Sequence, residues 1–174
     1  MKRVLFIRHA KSSWNEATQL DIDRPLNERG KRDAPFMGKV LKQNDALPEL
    51  IISSPAKRAK STAKRIAKEI GMDTQSIQIE NRLYLGSTYD YEKTVHEVDN
   101  RFDTVAIVSH NPAITAAAED FTDVEFANIP TGGIVAVDFN IDNWSELSTE
   151  GSLHFFEYPK KYYRFSEGPF EDML

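Results

Sequence analysis

Three short apolar runs, none interrupted by charge, constrain this chain most: Val4-Leu5-Phe6-Ile7, Leu50-Ile51-Ile52 and Val105-Ala106-Ile107-Val108. A strand with one wet face alternates apolar and polar residues. Continuous runs mark strands buried on both faces, as in a parallel sheet covered by helices. The segments between them read accordingly. Leu26 to Gln43 is a turn, marked by Gly30, followed by a helix in which Ala34, Met37, Val40 and Leu41 recur at helical spacing. Pro35 is admissible there if it lies in the first turn. Ser54 can cap a second helix with Pro55 at its first position, running to about Ile70 and stopping at Gly71. Ile77 and Ile79 alternate with polar residues, as on a strand nearer an edge. Tyr91 to Val98 and Pro112 to Asp120 read as helices, and Ile134 to Phe139 as a strand. Trp144 to Tyr158 reads as one or two antiparallel strands, with an irregular tail from Phe165 to Leu174. Strands alternating with helices predict one domain, 1–174: an α/β protein, a three-layer α/β/α sandwich with a mainly parallel sheet.

Composition narrows the function classes. Hydrophobic residues make up 40% and charged residues 28%, a globular balance. The net charge of -5 argues against a nucleic-acid partner, because a polyanionic backbone rewards a basic surface. The chain has no cysteine, so it has no disulfide framework, thiolate nucleophile or Cys-based zinc site, and it suits a reducing compartment. The opening MKRVLFIRHA is broken by charge too soon for a signal-peptide core, and no run reaches transmembrane length. A cytoplasmic location without membrane attachment is the expectation.

The three buried runs end alike. Val4–Ile7 is followed by Arg8-His9. Leu50–Ile52 is followed by Ser53-Ser54-Pro55 and, one helical turn on, Arg58. Val108 is followed by Ser109-His110-Asn111-Pro112. In a parallel sheet the carboxyl ends of the strands share one edge, where ligands bind. Two arginines, two histidines and two helix N-termini then converge on a pocket suited to a small, highly charged anion, phosphate foremost. Arginine forks meet the equatorial oxygens of a transferring phosphoryl group, and a neutral imidazole supplies an in-line nucleophile. Nearby arginines favour the neutral form of His9.

The blocks Arg8-His9-Ala10-Lys11-Ser12-Ser13-Trp14-Asn15, Arg24-Pro25-Leu26-Asn27-Glu28-Arg29-Gly30, Ser53-Ser54-Pro55-Ala56-Lys57-Arg58-Ala59 and Val108-Ser109-His110-Asn111-Pro112 stand in an order that resembles the histidine phosphatase superfamily, which includes the phosphoglycerate mutases. The wording of the first block is most similar to SixA-type phosphohistidine phosphatases. The resemblance implies a phosphoglycerate-mutase-like fold and a phosphoryl hydrolase without metal or other cofactor. It implies that His9 is the nucleophile that becomes phosphohistidine, that Arg8 and Arg58 bind the phosphoryl oxygens, and that His110 donates to the same group. It makes Asn15, Ser12 and the backbone N–H of Asn111 candidate substrate contacts. The substrate it implies is a phosphorylated protein, in particular phosphohistidine, or a small phosphorylated molecule.

Two departures matter. Ala10 stands where the family usually has glycine, which is harmless unless the position needs positive φ. A carboxylic general acid is not evident: Glu80 is the nearest carboxylate and the candidate, while Asn81 is the alternative occupant of the acid's usual place. Alkoxide leaving groups need protonation in the transition state, whereas an imidazole leaves more readily. A weak or absent acid therefore favours an N-phosphoryl substrate. The short stretch between Arg82 and His110 must hold a helix and a strand, which leaves no room for a large lid. The alternatives are a small-molecule phosphomonoesterase or mutase of the same fold, or a catalytically weak phosphoprotein-binding module. Thr131-Gly132-Gly133 reads as a turn before the strand at Ile134, with a loop closing over the phosphate as the alternative, His96 and His154 as structural or surface residues, and the aromatic tail as packing on the sheet edge.

A mechanism built on arginines and imidazoles runs without a cation. Incubation with EDTA is expected to leave the hydrolysis rate unchanged; a rate abolished by chelation and restored by a divalent ion would contradict it.

Overall fold

The computed structural model describes residues 1–14 and 17–163; Asn15 and the segment 164–174 lie outside them. Among the described residues the sheet has six strands: β1 (Lys2–Arg8), β2 (Leu50–Ser53), β3 (Gln78–Ile79), β4 (Thr104–Ser109), β5 (Ile134–Phe139) and β6 (Ser152–Glu157). Their spatial order is β3-β2-β4-β1-β5-β6. The first four run parallel, and β5 and β6 complete the sheet as antiparallel neighbours. This mixed, mainly parallel sheet is sandwiched as expected. Val4 and Phe6 face one core with Ile107, Ile114 and Phe121, and the alternate residues Leu5 and Ile7 face the other with Met37, Leu41, Ala63 and Ile66. Helices α1 (Glu28–Gln43) and α2 (Lys57–Ile70) cover that second face, while α3 (Thr88–His96) and α4 (Ala113–Thr122) cover the first. Both faces of β1 are dry, which is why its apolar run has no polar interruption. Among the described residues no helix is long and apolar enough to cross a membrane.

Three local expectations are corrected. Gly30 is not a turn residue but lies in the first turn of α1, where Asn27 caps by accepting the Gly30 N–H at 2.9 Å. Glycine is required there by proximity: a Cβ would sit 2.2 Å from the Lys11 carbonyl oxygen. Pro35 lies inside α1 rather than in its first turn, so one backbone donor is missing from the helix. Ser54 does not cap α2. That helix starts at Lys57 with Ala56 at the N-cap, and the Ser54 hydroxyl is drawn to His110 instead. The far end of α2 behaves as expected, with Gly71 in the left-handed region at φ 79°.

The tail packs as a cover. Phe155 and Phe156 of β6 lie against opposite cores, and α5 (Pro159–Tyr163) docks on α1 through an edge contact of Tyr162 with Phe36 and a hydrogen bond from the Tyr163 hydroxyl to buried Asp33. The 3-10 turn at Trp144–Glu146 buries Trp144 completely, its indole N–H donating to the Phe102 carbonyl at 2.9 Å.

Because the Lys11 backbone leads straight from His9, crowding at Gly30 reaches the strand-end loop. Gly30→Ala is expected to destabilise the protein by roughly 1–3 kcal/mol in urea unfolding. An unchanged midpoint would show that the loop and helix are not in close contact in solution.

Candidate active site

The carboxyl ends of β1, β2 and β4 meet because their register puts Arg8 beside Ser109 and Ser53 beside Val108. The chain therefore leaves the sheet at His9, Ser54 and His110 on one edge. The backbone fixes the first of these from three sides. His9 N–H donates to the Ser109 carbonyl at 2.9 Å, Gly132 N–H approaches the Arg8 and His9 carbonyls at 3.1 Å, and Ala10 N–H donates to the Thr62 hydroxyl at 3.0 Å. The Thr131-Gly132-Gly133 turn thus clamps the end of β1. Ala10 is fully buried and is not among the described residues with positive φ, so its methyl group fits without strain.

The His9 ring is buried and donates from Nδ1 to the Ala10 carbonyl at 2.8 Å. A carbonyl can only accept, so the proton is on Nδ1 and Nε2 carries a lone pair. Arg58 Nε donates to that lone pair at 3.3 Å. The His110 ring lies 5.2 Å from the His9 ring, tilted by 53°. Its Nε2 is 2.7 Å from the Ser54 hydroxyl, which also accepts the Ala56 N–H at 3.3 Å. A Ser54 hydroxyl that donates to His110 Nε2 leaves the imidazole proton on Nδ1, the tautomer in which His110 can donate to a ligand. Among the described residues that buried Nδ1 has no partner, nor has Nε of Arg8, whose Nη1 donates to the Ile129 carbonyl at 2.8 Å. Both atoms belong to residues that line one pocket, where a bound anion has donors to accept from.

These groups line an open pocket of about 840 Å³. Lys11, Arg8, Arg58 and Arg24 contribute its cations, against Asp21 as the one carboxylate lining it among the described residues. A net-acidic protein thus carries a locally positive pocket. Burial lowers the His9 pKa to about 3, with His110, Arg58 and Arg8 adding to the effect against the Ala10 hydrogen bond. Burial, then Arg58, lowers that of His110 to about 4. Among the described residues no group of three or more His, Asp or Glu side chains gathers at metal-binding spacing.

The other candidates are distributed unevenly. Ser12 is buried at the pocket wall, its hydroxyl accepting from Arg24 Nη2 at 2.6 Å. Asn111 lines the pocket, but its side chain is held by the Ile129 carbonyl at 3.1 Å and the Thr115 hydroxyl at 2.6 Å. Asn15 falls outside the described residues. Glu80 lines a different cavity, where it accepts the Arg82 N–H and pairs with the Arg82 guanidinium, each at 3.0 Å. His96 approaches the Leu147 carbonyl at 3.3 Å, and His154 pairs with Asp138, both away from the pocket.

Three pocket residues escape sequence reasoning: Asp21, Arg24 and Tyr84. Asp21 lies in a 3-10 turn, Asp21–Asp23. It accepts from Arg58 Nη2 at 3.0 Å, from Arg24 Nη1 at 3.0 Å and from the Tyr84 hydroxyl at 2.8 Å. Burial opposes its ionisation, but Arg24, Tyr84 and Arg58 together lower its pKa to about 2. Arg24 is buried, with its guanidinium 3.2 Å from the centre of the exposed Trp14 ring. The Arg24-Pro25-Leu26 block is the available signal for Arg24; irregular loops offer none for the other two.

Free imidazoles titrate near 6.5, so between pH 6.5 and 4 the unfolded chain binds protons that the folded site refuses. Stability must then fall as pH drops through that range. The ring Cε1–H resonances of His9 and His110 are expected to remain those of neutral imidazole at pH 5. Midpoints near 6.5 would show the site to be hydrated and open.

Comparison with known proteins agrees with this geometry. Residues 4–84 match the family model of the histidine phosphatase superfamily, branch 1, a span that contains Arg8, His9, Asp21, Arg24, Arg58 and Tyr84. An uncharacterised protein of Mycobacterium tuberculosis is 30% identical over 141 residues, covering 75% of this chain and 85% of that protein. An uncharacterised chloroplastic protein of Arabidopsis thaliana is 38% identical over 69 residues; that match spans 40% of this chain and only 32% of the plant protein. Among solved structures, the SixA protein of Agrobacterium tumefaciens superposes with a TM-score of 0.76 at 25% identity, covering 91% of this chain and 98% of that one. The protein histidine phosphatase SixA complexed with tungstate superposes with a TM-score of 0.78 at 20% identity, covering 92% and 99%. Fold, strand-end motifs and pocket converge: the chain belongs to the histidine phosphatase superfamily.

Proposed function

We propose that this protein hydrolyses a phosphoryl group through a phosphohistidine intermediate on His9, and that its substrate is a phosphohistidine of another protein. The observation that carries the reading is the unprotonated Nε2 of His9, 3.3 Å from Arg58 Nε, beside the Nδ1 of His110 and the Nε of Arg8, which have no partner among the described residues. In the first step His9 Nε2 attacks phosphorus in line, the Nε2–P bond forms, and the bond from phosphorus to the substrate's imidazole nitrogen breaks. The leaving imidazole takes its proton from water. The Nδ1–H bond to Ala10 stabilises the positive charge that develops on the His9 ring. In the second step water attacks phosphorus, the P–Nε2 bond breaks, and phosphate departs with His9 neutral again. Arg8, Arg58 and His110 hold the equatorial oxygens through both steps.

Leaving-group chemistry supports the substrate class. The pocket's carboxylate, Asp21, is ionised at any working pH and has no proton to give. Glu80 is engaged with Arg82 elsewhere. An alkoxide would leave unassisted and slowly, whereas an imidazole needs little help. The pocket mouth points the same way. Trp14 and Leu85 edge it and are 74% and 87% exposed, apolar surface of a kind that a protein partner covers. The tungstate bound by the SixA structure is a tetrahedral oxyanion of phosphate-like shape. The pocket volume favours one further reading, a small phosphate ester bound whole within the cavity.

Competition separates the two. The kcat/KM for a phosphohistidine protein is expected to exceed that for a phosphoserine peptide or a sugar phosphate by about tenfold or more. His9→Ala should lower turnover by roughly 10³-fold or beyond, and Glu80→Gln should leave it within about twofold of wild type. Alkyl esters preferred by a wide margin would overturn the substrate assignment; full activity in His9→Ala would overturn the mechanism.

A further inference from the structure

We propose that Asp21 is a positioning residue for Arg58, holding the guanidinium fork beside His9 Nε2 so that its Nε–H passes to a phosphoryl oxygen as that lone pair bonds to phosphorus. The inference rests on the reading of His9 as nucleophile and extends it to a residue outside the strand-end motifs.

Arg58 reaches the nucleophile at the end of a side chain with several free torsions, and one hydrogen bond at 3.3 Å does not fix a planar group. The other edge of the fork supplies the constraint. Nη1 donates to the Asp21 carbonyl at 2.6 Å and Nη2 to its carboxylate at 3.0 Å, so one residue grips both terminal nitrogens. Two parallel contacts define the guanidinium plane, and the Nε–H direction follows from it. Asp21 is in turn held from behind. Arg24 Nη1 donates to Oδ1 at 3.0 Å and the Tyr84 hydroxyl to Oδ2 at 2.8 Å. Arg24 itself is fixed by Ser12, by the Ser13 carbonyl at 3.0 Å and by the Trp14 face.

Charge gives the arrangement a kinetic signature. A carboxylate in a pocket for a phosphoryl dianion weakens ground-state binding, since it repels the ligand and neutralises part of the arginine charge. Its benefit must therefore emerge in the geometry of the reacting complex. Removing it should lower kcat while leaving KM unchanged or reduced, a split that general loss of structure does not produce.

The experiment uses the full chain with p-nitrophenyl phosphate and compares wild type, Asp21→Asn, Asp21→Ala, Arg58→Ala and the Asp21→Ala/Arg58→Ala double variant, each checked for a cooperative melt. Asp21→Ala should lose about ten- to a hundredfold in kcat, with a smaller loss in Asp21→Asn and no rise in KM. The double variant should be no slower than Arg58→Ala within about threefold, since Asp21 acts through Arg58. Losses that multiply, or kcat within about twofold of wild type in a folded Asp21→Ala, would overturn the proposal. The Arg58 Nε–H resonance tests it without turnover: shifted from the exposed-arginine position in wild type and returned to it in both Asp21 variants. A resonance unaffected by substitution counts against the proposal. Absence of His9-dependent turnover in wild type would overturn the functional reading, and the Arg58 resonance would then decide the role of Asp21 by itself.

Discussion

The Nδ1–H of His9 is committed to the carbonyl of the next residue, and the remaining features of the site follow from that bond. It forces the opposite ring nitrogen to be the unprotonated one. A buried imidazole of that tautomer can act as a nucleophile without first losing a proton. It can meet an arginine donor only where the donor's hydrogen finds the lone pair, which is where Arg58 stands. The segment that carries the bond is held, as it leaves β1, by contacts from β4, the Gly132 loop and Thr62 of α2. The sheet thus orients one imidazole, the nucleophile of the proposed mechanism.

The second dependency is electrostatic. A protein with net charge -5 concentrates arginine in one pocket by drawing Arg8, Arg58 and Arg24 from a strand end, a helix turn and a loop. Burial and these cations hold both imidazoles neutral. Asp21 then plays against type. In a pocket rich in arginine it remains ionised and gathers two of the arginines and Tyr84 around itself. The same carboxylate is thereby removed from service as an acid, which narrows the leaving groups the site can handle unaided. Fold and charge together fit a labile N-phosphoryl group better than an alkyl ester.

Much of this is legible in the chain. β1, β2 and β4 stand out because strands buried on both faces have apolar runs without polar interruption, and β5 matches its expected bounds through its own run Ile134–Val137. His9, His110, Arg8 and Arg58 can be placed in one pocket because each follows such a strand directly or by a single helical turn. The misreadings have local causes. Ser54 carries the signature of a helix cap, but the imidazole of a residue distant in sequence competes for its hydroxyl. Gly30 looks like a turn because the need for glycine comes from Lys11, a contact no local pattern encodes. Asp21 and Tyr84 lie in segments without periodicity, and only tertiary structure brings them to Arg58. Glu80 is the nearest carboxylate in sequence, whereas its pairing with Arg82 sets its direction.

Which atom of the protein bonds to phosphorus is the most direct test of this mechanism. Uniformly ¹⁵N-labelled enzyme, trapped after brief exposure to substrate and kept under alkaline denaturing conditions, can be read by ¹⁵N–³¹P correlation. Coupling of phosphorus to Nε2 of His9 is the predicted result. Phosphorus on Nδ1, on His110 or on no histidine at all would contradict the geometry of the site.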